Sequence, residues 1–294
     1  MIIAEKPTTV KSSGIKDSVS FGIKSDGLHH ILNILRNQLY SDKILAIVRE
    51  VSTNAFDANV DAGNGDKPIV VTLPNRLYPE FKIRDFGRGL TDEDIHEIYA
   101  FYGASTKRGS NQFTGCLGIG SKSPFCYSDN FVINSFINGV KNVYNAFIDD
   151  SQVGQIAKLH SEATTEPNGV EVVVSVRDGD ADVFIDRARN VFQFFKVKPT
   201  FKGANIEFAK QTEATLSGDN WAIYGKSDSS IAVMGNIGYP IDFYSLKSQN
   251  SKYSALLNCG ARINFNIGDL EISASREKLQ YSNKTIKNIT DTLD

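Results

Sequence analysis

Residues 41–58, SDKILAIVREVSTNAFDA, constrain the fold more than any other stretch of this chain. Ser41 and Asp42 offer N-cap chemistry, and Ile44, Ile47, Val48, Val51, Ala55 and Ala58 then recur at helical spacing. A helix with one apolar stripe must bury it against another layer. After the glycine-rich break DAGNGDKP, two β-rich runs, Ile69–Leu73 and Phe81–Arg84, flank a Pro-Asn turn and read as a hairpin. A second helix is expected from Thr91 to about Tyr102, with Asp92 and Glu93 favouring its N-terminal dipole. Residues 103–124, GASTKRGSNQFTGCLGIGSKSP, are glycine-rich and polar, too loose for core packing and suited to a mobile loop. Further β-rich runs follow at Phe131–Phe136, Asn142–Ile148 and Val170–Val176. A helix over Ala181–Phe195 then faces inward with Val183, Phe184, Ala188, Val191 and Phe195. The first unit is mixed α and β.

From about Lys196 the chain turns to short strands with Gly, Ser and Asn breaks, as in IAVMGNIGYPIDF and ARINFNIGDLEIS. A boundary near Lys202 divides it into residues 1–201 and 202–294, in keeping with roughly 150 residues per domain. The last residues, REKLQYSNKTIKNITDTLD, read as the front of a helix. The 32 Lys and Arg against 34 Asp and Glu leave a net charge of -2, so no global basic field signals nucleic acid. No apolar run approaches the roughly 20 residues of a membrane span, and the N-terminus has no signal-peptide pattern. Cys116, Cys126 and Cys259 form neither a disulfide framework nor a CxxC pair, which fits a reducing cytoplasm.

Three segments carry chemistry. Glu50, Asn54 and Asp57, at i, i+4 and i+7, line one helix face; alone, that is an ordinary exposed polar face. Residues 85–89, Asp-Phe-Gly-Arg-Gly, end a strand on a carboxylate that can accept from an exocyclic amine, and two glycines let the backbone approach a ligand. Alone, they are more often a plain turn. Residues 115–120, Gly-Cys-Leu-Gly-Ile-Gly, run into Ser121, Lys122 and Ser123 and offer amides and hydroxyls to an anion, without the Lys-Ser/Thr ending of a P-loop.

In this order and spacing the segments resemble the GHKL (Bergerat-fold) ATPases, the superfamily of Hsp90, type II topoisomerases, the MutL repair proteins and the histidine kinases. Glu50, Asn54, Asp57 and Ala58 match Glu-x-x-x-Asn-x-x-Asp-Ala; Asp85, Gly87 and Gly89 match Asp-x-Gly-x-Gly; Gly115, Gly118 and Gly120 match Gly-x-x-Gly-x-Gly. Gly-Ala-Ser-Thr-Lys at 103–107 is similar to the nucleotide lid of Hsp90 and MutL, and Ile-Ser-Ala-Ser-Arg-Glu-Lys-Leu-Gln at 272–280 to the Hsp90 middle-domain segment with a catalytic arginine. Across nearly all of the chain, REVSTNAFDA, FKIRDFGRGL, CLGIGSKSPFCYSD and SREKL resemble the phage rapid-lysis RIIA family.

The resemblance implies an α+β fold: a mixed, mostly antiparallel sheet with helices on one face, followed by a smaller transducer-like (middle) domain. It implies ATP and Mg2+ as ligands. Glu50 would be the general base, Asn54 the Mg2+ ligand, and Asp85, with Gly87 and Gly89, the reader of adenine. Lys107 and Lys122 would lie at the phosphates with Gly115, Gly118, Ile119, Gly120 and Ser121. Asp57 would support the site, and Arg276 would reach the γ-phosphate, against the plainer reading of a salt bridge at a helix start. Residues 103–124 would be a lid that ATP closes as two chains form a homodimer. The RIIA likeness implies lysis control or protection against prophage defence, with a phage or host protein partner and peripheral membrane association. Relatives continue past the Arg276 segment, so the chain is expected to be a piece of a longer protein. One departure stands out: Gly169-Val170 replaces a Gly-Thr whose hydroxyl helps read adenine. The competing readings are a nucleotide-binding switch without turnover and a DNA-remodelling subunit.

Overall fold

The computed structural model describes residues 28–99, 120–208, 213–224, 229–246 and 258–293. The expected site residues Lys107, Gly115, Gly118 and Ile119 lie outside the described residues, as does most of the expected lid.

Helix α1 (Leu28–Asn37) precedes the long helix α2 (Lys43–Asp61), which starts where Asp42 accepts from the Leu45 amide at 2.9 Å. Strands β1 (Val70–Thr72) and β2 (Glu80–Arg84) pair antiparallel, as the hairpin reading expects. A single turn, α3 (Asp92–Asp94), begins in a capping box between Thr91 and Asp94. It continues as a π-helical turn over Ile95–Tyr99, so the helix expected from Thr91 is not regular.

Strands β3 (Asn130–Ile137), β4 (Val140–Ile148), β5 (Gly154–Ala163) and β6 (Gly169–Ser175) come before helix α4 (Ala181–Phe192) and strand β7 (Thr200–Lys202). The seven strands lie in the order β5-β4-β3-β6-β2-β1-β7, antiparallel except for the parallel pair β1 and β7. One face carries Phe81, Ile83, Phe131, Ile133, Tyr144, Ala146 and Val174 into a core shared with α2 and α4. Phe184, Ala188, Val191 and Phe192, on one face of α4, complete that core.

A second sheet has its own core. Strands β8 (Leu216–Ser217), β9 (Trp221–Ile223), β10 (Ile231–Met234), β11 (Ile237–Pro240) and β12 (Ala261–Phe265) order as β11-β10-β12-β9-β8. Met234 and Ile237 close a two-residue hairpin in which Gly235 takes φ 65, a left-handed conformation that favours glycine. Helix α5 (Asn283–Leu293) packs Ile289 against this sheet. The helix expected from residue 276 therefore begins later, because Ile272 and Leu279 bridge as a tight antiparallel loop.

Residues 120–126 correct another expectation. They form a 3-10 turn that buries Lys122, Ser123, Pro124, Phe125 and Cys126 against α2, so this end of the glycine-rich stretch is core rather than loose loop.

Candidate functional site

Helix α2 presents the polar face expected of it, but half of that face is inside the protein. Glu50 is 2% exposed and Asp57 1%, whereas Asn54 is half-buried. The plain reading of the triplet as an ordinary exposed polar face is thereby excluded for Glu50 and Asp57.

Gly120 sits directly over this face. A Cβ built there would lie 2.6 Å from Glu50 Oε2 and 3.6 Å from Asn54 Nδ2, so a glycine here is what lets the backbone approach the two side chains. Lys122, two residues on, is buried over the Tyr99 ring with its ammonium 5.3 Å from the centroid, and burial lowers its pKa to about 8. Tyr99 donates its hydroxyl to the Ser121 carbonyl at 3.2 Å, tying the end of the π turn to this segment.

The Asp85 segment packs on the far end of α2. A Cβ at Gly87 would meet the Ala58 Cβ at 3.0 Å and the Asp85 carboxylate at 3.1 Å, so the glycine permits close contact between the two segments. Asp85 Oδ1 accepts from the amides of Gly87 at 2.8 Å and Val170 at 3.0 Å. The Asp85 amide in turn donates to the Val170 carbonyl at 2.9 Å. Val170 thus holds Asp85 through its backbone while its side chain supplies no hydroxyl. Gly169, at φ 139, crosses the Asp85 carbonyl so closely that no side chain fits. Gly89, at φ 84, passes over the Phe136 carbonyl in the same way.

Arg276 enters from the second sheet's unit. Its Nη1 donates to Glu50 Oε2 at 2.7 Å, with the two side chains only 5% and 3% exposed. It is a buried ion pair between units rather than a salt bridge at a helix start. Arg49 approaches the other oxygen, Nε to Oε1 at 3.2 Å, so one carboxylate faces two guanidiniums. Two buried phenols face the same group. Burial raises the Tyr40 phenol well above its ordinary value, with Glu50 adding to the rise. Burial likewise raises Tyr239, against the opposing pull of Arg276 and Arg49.

The fold therefore brings together Glu50, Asn54, Gly120 and Arg276 at the middle of α2, with Ser121 and Lys122 next in the chain after Gly120, and Asp85, Gly87 and Gly89 near its C-terminal end, toward which Asp57 lies. The first group suits a phosphate-like anion; the second offers a carboxylate beside closely packed backbone. Arg49, Tyr40 and Tyr239 escape sequence reasoning. Arg49 is next to Glu50 in sequence, a spacing at which helical side chains do not ordinarily meet; Tyr40 lies just ahead of α2, outside its helical period, and Tyr239 arrives from the second sheet.

The mostly antiparallel seven-stranded sheet with helices on one face, followed by a second sheet, is a GHKL ATPase-like α+β fold. Among solved structures, the chain is similar to the ATPase region of topoisomerase II from Saccharomyces cerevisiae. The two share 14% identity over 83% of this chain and 82% of that one, with a TM-score of 0.54. No protein-family model and no curated protein matches the chain.

Proposed function

We propose that this protein binds ATP with Mg2+ and hydrolyses it, using residues 1–201 as the nucleotide unit and 202–294 as a second unit that contributes Arg276. The observation that carries this reading is the meeting of Arg276 with Glu50 beside Gly120. An acid, an amide side chain and a cation from the second unit converge at a glycine whose neighbouring backbone amides can donate to phosphate.

In hydrolysis a water oxygen bonds to the γ-phosphorus, the bond to the bridging β-γ oxygen breaks, and the water's proton needs an acceptor. Glu50 is that acceptor and orients the water. Arg276, Lys122 and Lys107 offset phosphate charge, together with the amides of residues 115–121. The Asn54 amide oxygen fits Mg2+, a cation of hard oxygen ligands, and Mg2+ when bound would neutralise phosphate charge. Asp85 reads the adenine amine, and Asp57 supports the pocket from within the core.

In the arrangement described, Arg276 holds Glu50, so turnover requires the guanidinium to shift toward phosphate. The same ion pair favours a second reading, a switch that binds nucleotide without turnover. A DNA-remodelling role draws no support from the net charge of -2.

By the likeness to the phage rapid-lysis RIIA family, we place the protein in the host cytoplasm or at the membrane periphery. There it would form an ATP-dependent homodimer acting with a phage or host partner in lysis control or protection against host defence. No helix among the described residues is long and apolar enough to cross a membrane. Titration with ATP and Mg2+, followed by phosphate release and molecular mass, tests the reading. Release that Glu50→Gln abolishes supports the ATPase; saturable binding without release establishes the switch; no binding refutes both.

A further inference from the structure

Helix α2 begins with half of a capping box. Asp42 accepts from the Leu45 amide, but the residue that would return a carboxylate to the Asp42 amide is Leu45 itself, which has no acceptor side chain. The missing half comes from the second unit, 235 residues away: Glu277 Oε1 accepts from the Asp42 amide at 3.2 Å and from the Ser41 amide at 3.0 Å.

The two residues before Glu277 also grip α2. Arg276 reaches Glu50, and the Ser275 carbonyl accepts from Arg49 Nη2 at 2.7 Å. Within the loop the Arg276 amide donates to the Ser273 carbonyl at 2.8 Å. Arg276 itself has φ 57, a left-handed backbone unusual for a residue with a long side chain. Such a conformation persists where its surroundings over-determine it. Here they do so through three consecutive contacts to one helix.

We infer that Glu277 is a positioning residue, latching the 272–279 loop to the N-terminus of α2 so that Arg276 is delivered at Glu50. The catalytic part of this inference rests on the proposed ATPase; the latch does not. Glu277 touches no reacting atom. It fixes the loop at α2's first turn, and Arg276 reaches about two turns further along the same helix.

Glu277→Ala and Glu277→Gln in the full chain test this, with kcat and KM for MgATP and with hydrogen exchange on the nucleotide-free protein. Losing a charge-assisted bond at the latch should lower kcat about tenfold in Glu277→Ala, with KM changed less than about twofold. Glu277→Gln keeps an acceptor oxygen and should retain most of kcat. Exchange across residues 272–279 should quicken in the alanine variant and not in the glutamine variant. In an Arg276→Ala background, Glu277→Ala should lower kcat no further. Adding Leu45→Glu to Glu277→Ala restores a local cap to α2 but not the tie to the loop, so kcat should stay low. Recovery of kcat in that double variant would reduce Glu277 to a helix cap. Unchanged exchange at 272–279 in Glu277→Ala would show that no latch exists. If the unmutated protein releases no phosphate, the ATPase reading fails, and the exchange measurement still decides the latch.

Discussion

Glu50→Gln should lower stability as well as abolish hydrolysis, and the size of the loss follows from the burial of its ion pair. Glu50 and Arg276 meet at 2.7 Å with side chains 3% and 5% exposed, and Arg49 lies on the other carboxylate oxygen at 3.2 Å. Removing one partner of a buried pair typically costs about 3–5 kcal/mol, because the remaining charge loses the group that compensated its desolvation. Glutamine preserves shape and one acceptor oxygen, which places the loss near the lower figure, about 3 kcal/mol. At roughly 2–4 °C per kcal/mol for a domain of ~200 residues, the melting temperature should fall by about 6–12 °C. Circular-dichroism melts without nucleotide measure this, on Glu50→Gln, Arg276→Met and the double variant. Since the second substitution removes the charge that the first exposes, the double variant should be less destabilised than the sum, by up to ~3 kcal/mol. A melt within about 1 °C of the unmutated protein, or strict additivity, would refute the buried pair. Nucleotide should still bind to Glu50→Gln below its melting range.

Asp85→Asn should abolish adenine nucleotide binding in calorimetry while the fold survives, because an amide oxygen can still accept from Gly87 and Val170; unchanged affinity would remove Asp85 from the pocket. Gly120→Ala forces a Cβ to 2.6 Å from Glu50 Oε2, so phosphate release should drop about 100-fold through the displaced carboxylate. Burial lowers the Lys122 pKa to about 8, so nucleotide affinity should fall as pH rises through 8, and Lys122→Met should flatten that profile. The same shift has the opposite sign for stability. Between about pH 8 and the ordinary value of 10.5 the unfolded chain binds a proton that the folded protein does not, so this group's contribution to stability rises with pH across that window. Val170→Thr supplies the missing hydroxyl beside Asp85 and should sharpen discrimination of ATP over GTP in competition binding; no change would place residue 170 away from the base.

Most of the first sheet and its helices are legible in the sequence from apolar spacing and β-rich runs bounded by turn residues, although α2 is buried almost all round over residues 46–53, which its polar residues do not announce. Strand β5 was not legible, since nearly all of GQIAKLHSEA is exposed and no period-2 pattern exists to read. The turn at 120–126 is not legible because glycine and small polar residues look like loop, whereas here their smallness admits close packing on α2. Among the candidate site residues, those on α2 and the Asp85 turn could be grouped by spacing. The contact of Arg276 with Glu50 could not, since no periodicity links residues from two separate sheets, and only the family resemblance pointed to that arginine.

The separation of 226 positions between Glu50 and Arg276 also sets a timetable. At roughly 5–20 residues per second of synthesis, about 10–45 s pass on the ribosome between the emergence of one partner and of the other. The first sheet is complete only with β7 at Lys202, so for about the last third of that interval, roughly 4–15 s, a first unit carries Glu50 without the guanidinium that will cover it. By the proposed function, a nascent chain in that window lacks the cation that offsets γ-phosphate charge, so turnover would wait until the 272–279 loop has been made.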